Sequence, residues 1–160
     1  VDFNKAEKSN IISTQFKLDR CLIPCDGFYF WKNLSKKEKT PYYFQYTKEK
    51  LIYCVGIRET FQDFSGNSFK YFYFLTDQST EKWKKFTPKI PILFDIRYLD
   101  IWFSKKTSIN KISSFINPIK FDDFNFYTVS PYFENNNRDD ISLINPSNNL
   151  NQYGNYSLFD

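Results

Sequence analysis

The spacing of hydrophobic and polar positions changes near the middle of the chain. In the first half, "RCLIPCDGFYFW" (Arg20 to Trp31), "PYYFQYT" (Pro41 to Thr47), "KLIYCVGIRE" (Lys50 to Glu59) and "FKYFYFLT" (Phe69 to Thr76) are aromatic and β-branched runs broken by short polar turns, the pattern of strands. The first of them turns at Asp26-Gly27. Lys48-Glu49 is a hairpin-length connection, which predicts antiparallel pairing of the second and third runs. "FQDFSGNS" reads as a loop before the fourth. Helical spacing takes over in the second half. "STEKWKKF" opens with Ser79 and Thr80 as N-cap residues, and Asp95 takes that role before "IRYLDIWFSK". In "TSINKISSFI", Ile109, Ile112, Phe115 and Ile116 recur at helical intervals until Pro118 stops them. "FNFYTVSP" returns to strand, and from Asn135 the chain becomes Asn, Asp and Ser with little to bury. No internal repeat is visible. These elements predict one α+β body, mainly antiparallel, over residues 1–146, and a polar tail over 147–160.

Composition narrows the interior and the chemistry. Aromatic residues are 21% of the 160, with 19 Phe and 12 Tyr, so the core is built from rings rather than from Leu and Val. Part of that excess follows from codon usage in a genome rich in A and T. Histidine is absent altogether, which removes His triads, His metal ligands and the commonest general base. The three cysteines, Cys21, Cys25 and Cys54, cannot close a disulfide framework and match no metal knuckle; they read as small buried hydrophobes of a reducing compartment. No metal and no cofactor is expected. The opening "VDFNKAEKSN" has no signal-type apolar core, and the longest apolar run is "IPILF" (Ile90 to Phe94), so a membrane span or secretion is not expected and a cytoplasmic setting is. The net charge of +4 favours a polyanion only where cations cluster. "KKEK" (Lys36 to Lys39), "EKWKK" (Glu81 to Lys85) and Lys105-Lys106 read as solvated faces.

Four stretches carry a resemblance. "RCLIPCDGFYFWK" closely resembles R-C-[LIV]-x-P-x-D-G-[FWY]-[FY]-E-W-K of the SOS-response-associated peptidase (SRAP) family, the abasic-site-processing proteins. "FTPKIPIL" (Phe86 to Leu93) resembles I-H-x-R-M-P-[VL]-[IL]-L, and "TVSPYFENNNRDDISLI" (Thr128 to Ile144) resembles P-V-S-x-x-V-N-x-x-x-N-D-x-x-E-L-I. "NKAEK" (Asn4 to Lys8) is similar to N-A-R-x-E-[TS]. Their order and spacing agree over nearly the whole chain. The resemblance implies a mainly antiparallel sheet curled into a barrel-like body with flanking helices, and a monomer that recognises single-stranded DNA carrying an abasic site. In the family, an N-terminal cysteine supplies both an α-amine and a thiol. The amine condenses with the ring-opened sugar aldehyde and the thiol closes the imine to a thiazolidine, with associated self-cleaving peptidase activity.

Carried over position by position, the resemblance leaves the chemistry unfilled. The segment holding the family's cysteine has no counterpart, since Val1 falls just upstream of the Asn-x-Arg motif. The catalytic glutamate falls on Phe30, and a phenyl ring cannot carry a proton; the histidine falls on Thr87. Glu7 keeps its motif's acid. Asn4, Lys5, Trp31, Lys89 and Ser130 stand at positions suited to DNA, with lysine for arginine at Lys5 and Lys89, which keeps charge without the bidentate fork. The V-N pair has become Phe133 and Glu134. Arg20, Cys21, Pro24, Asp26, Gly27, Trp31, Pro91, Leu143 and Ile144, the scaffold residues, are kept. Two functions are therefore expected as alternatives: a crosslinking peptidase of the SRAP type, or a catalytically inactive relative that binds single-stranded DNA or is a decayed copy.

Overall fold

Asp26 is where the first aromatic run leaves one sheet and enters another. In the computed structural model, which describes residues 19–35, 38–48, 50–134 and 137–147, β1 (Arg20–Cys25) ends just before it and β2 (Gly27–Asn33) begins just after. There follow β3 (Lys39–Tyr46), β4 (Ile52–Gln62), β5 (Ser68–Phe74), β6 (Thr76–Gln78), β7 (Lys89–Phe94), α1 (Leu99–Phe103), α2 (Ile109–Ser113), β8 (Ile116–Pro118) and β9 (Phe124–Thr128). Every strand pair is antiparallel. The larger sheet runs β1-β4-β7-β6, with β5 beside β4 and β8 beside β7; the smaller runs β2-β3-β9.

The near-continuous apolar character of β4 and β7 follows from burial on both faces. Val55, Ile57, Ile92 and Phe94 turn to Trp102 of α1 and Ile112 of α2. Ile52, Cys54 and Ile90 turn the other way, to Phe44 and Phe124 of the smaller sheet, with Trp83 and Ile119 between. Two short helices, the larger sheet and the smaller sheet thus stack as layers around two apolar seams. Arg20 clamps the helical side. Its Nε donates to the Trp102 carbonyl (2.8 Å) and its Nη2 to the Ser104 carbonyl (2.9 Å), while the guanidinium lies 5.6 Å from the Trp102 ring centroid.

The α+β class is what the periodicity predicts, but the sheets do not curl into a barrel. Both stay open, ending on β1 and β6 and on β2 and β9. Because the chain changes sheet at Asp26, its apolar faces are buried by stacking one sheet on the other rather than by closing one sheet on itself. The hairpin expected at Lys48-Glu49 is also corrected: β3 and β4 lie in different sheets. β3 instead fits between β2 and β9, where Phe44 stands opposite Phe28 and Phe126, and Tyr43 opposite Tyr29 and Tyr127. That row of matched rings outweighs the short connection.

Two helical expectations are revised as well. Residues 81–86 form consecutive turns closed by Lys84 N to Thr80 O (3.0 Å) and Phe86 N to Trp83 O (2.8 Å), because Trp83 and Phe86 drop into the seam between the sheets. Ile116 does not end a helix; it opens β8 opposite Phe94. Asp95 does cap, accepting from Arg97 N at 3.1 Å, and Ser108 caps α2. The tail expected over 147–160 falls outside the described residues except for Ser147.

The passage between sheets requires a residue without a side chain at position 27. A Cβ there would sit 2.4 Å from the Phe44 carbonyl oxygen and 2.6 Å from the Tyr43 hydroxyl. Gly27→Ala is expected to lower unfolding stability by about 1–3 kcal/mol in a denaturant titration. Gly66→Asn, at a hairpin tip with φ 84° and open space around it, should cost less than about 1 kcal/mol. Equal losses at the two sites would show that the crowding at Gly27 is relieved elsewhere.

Candidate functional site

β2 alternates, and the alternation divides the candidate residues. Phe28 and Phe30 point into the seam between the sheets, whereas Tyr29 and Trp31 point to the opposite face of the smaller sheet. Phe30 is half-buried. Its ring lies 5.5 Å from Phe44 and 5.6 Å from Trp83, both edge-on, and 6.0 Å from Phe28. Thr87 comes to the same tryptophan by its backbone, donating N–H to the Trp83 carbonyl at 3.0 Å, and its hydroxyl donates to the Lys89 carbonyl at 2.8 Å. Phe30 and Thr87 therefore meet at Trp83. Tyr42, opposite Phe30 in register, packs edge-on against Phe86 at 5.3 Å and has the Lys32 ammonium 6.0 Å from its ring. Lys89 opens β7 and is exposed.

Neither of the two positions, Phe30 and Thr87, supplies a group for proton transfer. Phe30 has no ionisable atom, and the Thr87 hydroxyl neither ionises near neutral pH nor faces an acceptor other than a carbonyl. One polar atom here is left over: the Trp83 Nε1 donor is buried with no hydrogen-bond partner among the described residues. The same holds for Ser79 Oγ, in the turn leading to Trp83, and for Thr40 Oγ1, on the strand facing β2. A buried indole N–H normally finds an acceptor. The neighbouring side chain at position 30 supplies none.

Trp31 sits on the other side. The Trp31 Nε1 donates to Glu134 Oε1 (2.7 Å), the Lys39 ammonium stands 4.0 Å from the ring centroid, and Phe133 lies 5.7 Å away. Phe133 in turn stacks on Tyr29, at 4.3 Å with planes 6° apart. Val129 N donates to the Pro41 carbonyl (3.2 Å), and Pro41 is the register partner of Trp31, so Ser130 is brought to the same end of this sheet. The Ser130 Oγ accepts from Tyr132 N at 3.3 Å. Trp31 thus stands apart from Phe30 and Thr87, which both contact Trp83, and among the described residues no contact joins Ser130 to Trp31. Asn4, Lys5 and Glu7 lie outside the described residues.

Sequence reasoning missed Trp83, Lys39 and the partnership of Glu134 with Trp31. Trp83 could have been found: an indole inside the lysine-rich "EKWKK" is wasted on a solvated face. The Lys39 and Glu134 contacts had no local signal, since both partners are distant from Trp31 or on a neighbouring strand.

Electrostatics on the outer face centre on Asp26. Burial raises Tyr43 well above the ordinary tyrosine range, with Asp26, Tyr127 and Tyr29 adding to it. Tyr29 is raised by burial and then Asp26, and Tyr127 by burial. Between the sheets, the buried Cys54 thiol is held protonated by its hydrogen bond with Cys25 and by burial, and the same bond lowers Cys25. Cys21 is raised by burial. Cys54 is the buried core residue expected of it, whereas Cys21 and Cys25 are half-buried, and Cys25 is the most readily ionised of the three.

Comparison with known proteins adds what geometry alone does not. The sequence profile described as SOS response associated peptidase (SRAP) matches residues 3–136. The chain belongs to the SRAP family. Two relatives from Bacillus subtilis are the abasic site processing protein YoaM, 26% identical over 132 residues that are 82% of this chain and 58% of that protein, and the abasic site processing protein YoqW, 28% identical over 81% of this chain and 54% of that protein. The chain thus spans little more than half the length of these relatives. A solved structure from Bacteroides thetaiotaomicron superposes with a TM-score of 0.77 at 16% identity, over 92% of this chain and 65% of that one, and one from Bordetella bronchiseptica with 0.64 at 12%, over 79% and 63%. At those identities the likeness is one of fold. Among the described residues, no helix is long and apolar enough to cross a membrane and no cluster of His, Cys, Asp or Glu could hold a metal ion.

The raised tyrosines make stability fall in alkali. A phenol whose folded value lies above its unfolded value of about 10 stabilises fully below that value, and the contribution is lost as pH rises past it. Unfolding free energy is expected to hold steady toward pH 9 and then decline, and Tyr43→Phe should make the decline shallower. An equally steep decline in the variant would show that Tyr43 does not govern it.

Proposed function

We propose that this chain is a non-catalytic SRAP-family module that binds single-stranded DNA. One observation carries the reading: the position of the family's acid is Phe30, whose ring is packed among Phe28, Phe44 and Trp83. Refilling that place with an acid is not a small adjustment, because the pocket around it is itself aromatic. The family's histidine position is Thr87, and the chain has no histidine to substitute for it.

Binding needs less than catalysis. The relatives are named for processing abasic sites, which form a feature of DNA, and the scaffold residues shared with them support the same class of ligand here. Lys32 and Lys89 supply charge, and Tyr42 and Phe86 supply ring faces against which bases pack without sequence preference. Trp31 contributes less, because Lys39 already lies over its ring and Glu134 holds its indole N–H.

Fluorescence anisotropy with a short labelled single strand should show affinity that falls as salt is raised, with Lys89→Ala and Lys32→Ala each lowering the salt dependence by about one charge. Affinity indifferent to salt would remove phosphate contact from the reading. For catalysis, the protein placed behind an initiating Met-Cys is expected to crosslink an abasic-site strand slowly, since each missing proton-transfer group lowers the rate by about two to four powers of ten. Adding Phe30→Glu with Thr87→His should accelerate it. Rapid crosslinking without those two changes would overturn the non-catalytic reading and favour the crosslinking peptidase.

A further inference from the structure

Among the described residues, an uncovered apolar surface apart from these groups lies on the hairpin of β4 and β5. β5 reads Ser-Phe-Lys-Tyr-Phe-Tyr-Phe, with no proline or glycine and a single charge, and its Phe69, Tyr71, Phe72 and Tyr73 are 45%, 45%, 58% and 42% exposed. Phe61 on β4 and Phe64 at the turn are exposed too. A long, flat, aromatic strand at a sheet edge is ordinarily blunted by charge, proline or a bulge, because its free N–H and C=O groups invite another strand. β5 carries none of these protections beyond Lys70.

The register shows which groups are free. Asp63 N donates to Asn67 O (2.9 Å) at the turn and Leu75 N to Val55 O (2.9 Å) at the base. With Phe61 opposite Phe69, Glu59 opposite Tyr71 and Ile57 opposite Tyr73, the residues that bond to β4 are therefore Phe69, Tyr71 and Tyr73. Lys70 and Phe72 turn their backbone N–H and C=O outward, and among the described residues β4 is the only strand paired with β5.

We propose that this edge is the interface of a twofold homodimer, in which the β5 strands of two copies pair antiparallel with Tyr71 on the axis. The sequence is self-complementary about that residue. Lys70 of one copy stands opposite Phe72 of the other, twice, giving four backbone hydrogen bonds and two ammonium-over-ring contacts; Phe69 stands opposite Tyr73, and Tyr71 opposite Tyr71, extending the aromatic ladder across the axis. Arg58, which faces Phe72 within the hairpin, places a second cation beside the same ring. Centring the pair on Lys70 instead would oppose two ammonium groups. A nucleic acid fits the face less well. Arg58 is paired with Asp19 at 3.3 Å, and Glu59, hydrogen-bonded to Tyr73, stands among the tyrosines, so a phosphate would meet one unpaired cation and one acid.

Sedimentation velocity across the micromolar range tests this. The unaltered protein is expected to sediment as a concentration-dependent dimer. Phe72→Lys, which sets like charges opposite each other at both symmetric positions, should weaken association by about tenfold or more, whereas Phe72→Glu, which sets a carboxylate opposite Lys70, should keep it. Phe72→Pro removes only an outward N–H and should abolish the dimer. Far-UV circular dichroism and the unfolding midpoint show that each variant is folded; should Phe72→Pro fail to fold, the Lys and Glu pair still decides. A monomeric parent at every concentration overturns the proposal, as does equal dimerisation of all three variants. A monomer that binds a labelled oligonucleotide more weakly after Phe72→Ala would assign the face to nucleic acid and also overturns it. None of these outcomes depends on whether Phe30 has displaced the catalytic acid.

Discussion

The contact on which the rest of this protein depends is the packing of Trp83 against the inner face of the smaller sheet. Its ring lies 4.9 Å from Phe44, 5.0 Å from Phe121, 5.6 Å from Phe30 and 5.7 Å from Phe124. Ring pairs of this kind contribute about 0.5–1.5 kcal/mol each beyond the area they bury, and here they converge on one fully buried side chain. The chain crosses between the sheets at Asp26, between β3 and β4, and between β8 and β9; none of these links would hold the sheets face to face without the packing between them.

Under the proposed function, this wedge is where binding and catalysis part. The acid position of the motif the chain resembles falls on Phe30, whose ring joins the packing against Trp83. Among the described residues the Trp83 indole N–H has no acceptor. Cations outside the seam are untouched by this exchange, because a phosphate contact needs charge near an open surface and not a tuned proton. On the proposed reading, loss of chemistry at Phe30 leaves the means of binding in place.

Much of this was legible in the residues. The strand runs are aromatic and β-branched, Asp95 and Ser108 cap where spacing put helix starts or near them, and the SRAP motifs locate Phe30 and Thr87 before any coordinates. What was not legible was which strands pair. Alternation tells which side chains share a face, because successive Cβ atoms point to opposite sides. It does not tell which face meets which, and a short connection such as Lys48-Glu49 argues for the wrong neighbour when a distant strand offers a better row of partners.

The sequence by itself determined the α+β class, the absence of histidine from these 160 residues and the placing of a phenyl ring, Phe30, within the motif it resembles. Only the tertiary structure decided that β3 lies between β2 and β9, that the sheets stack without closing, that Trp31 is engaged by Lys39 and Glu134 on the face away from Phe30, and that β5 is an open edge. The division has a physical cause. Composition and period are local properties, carried by each segment alone. Register, layer and exposure are set by complementarity between side chains far apart in the chain, and they exist only once Trp83, Phe44 and Phe124 have been brought together.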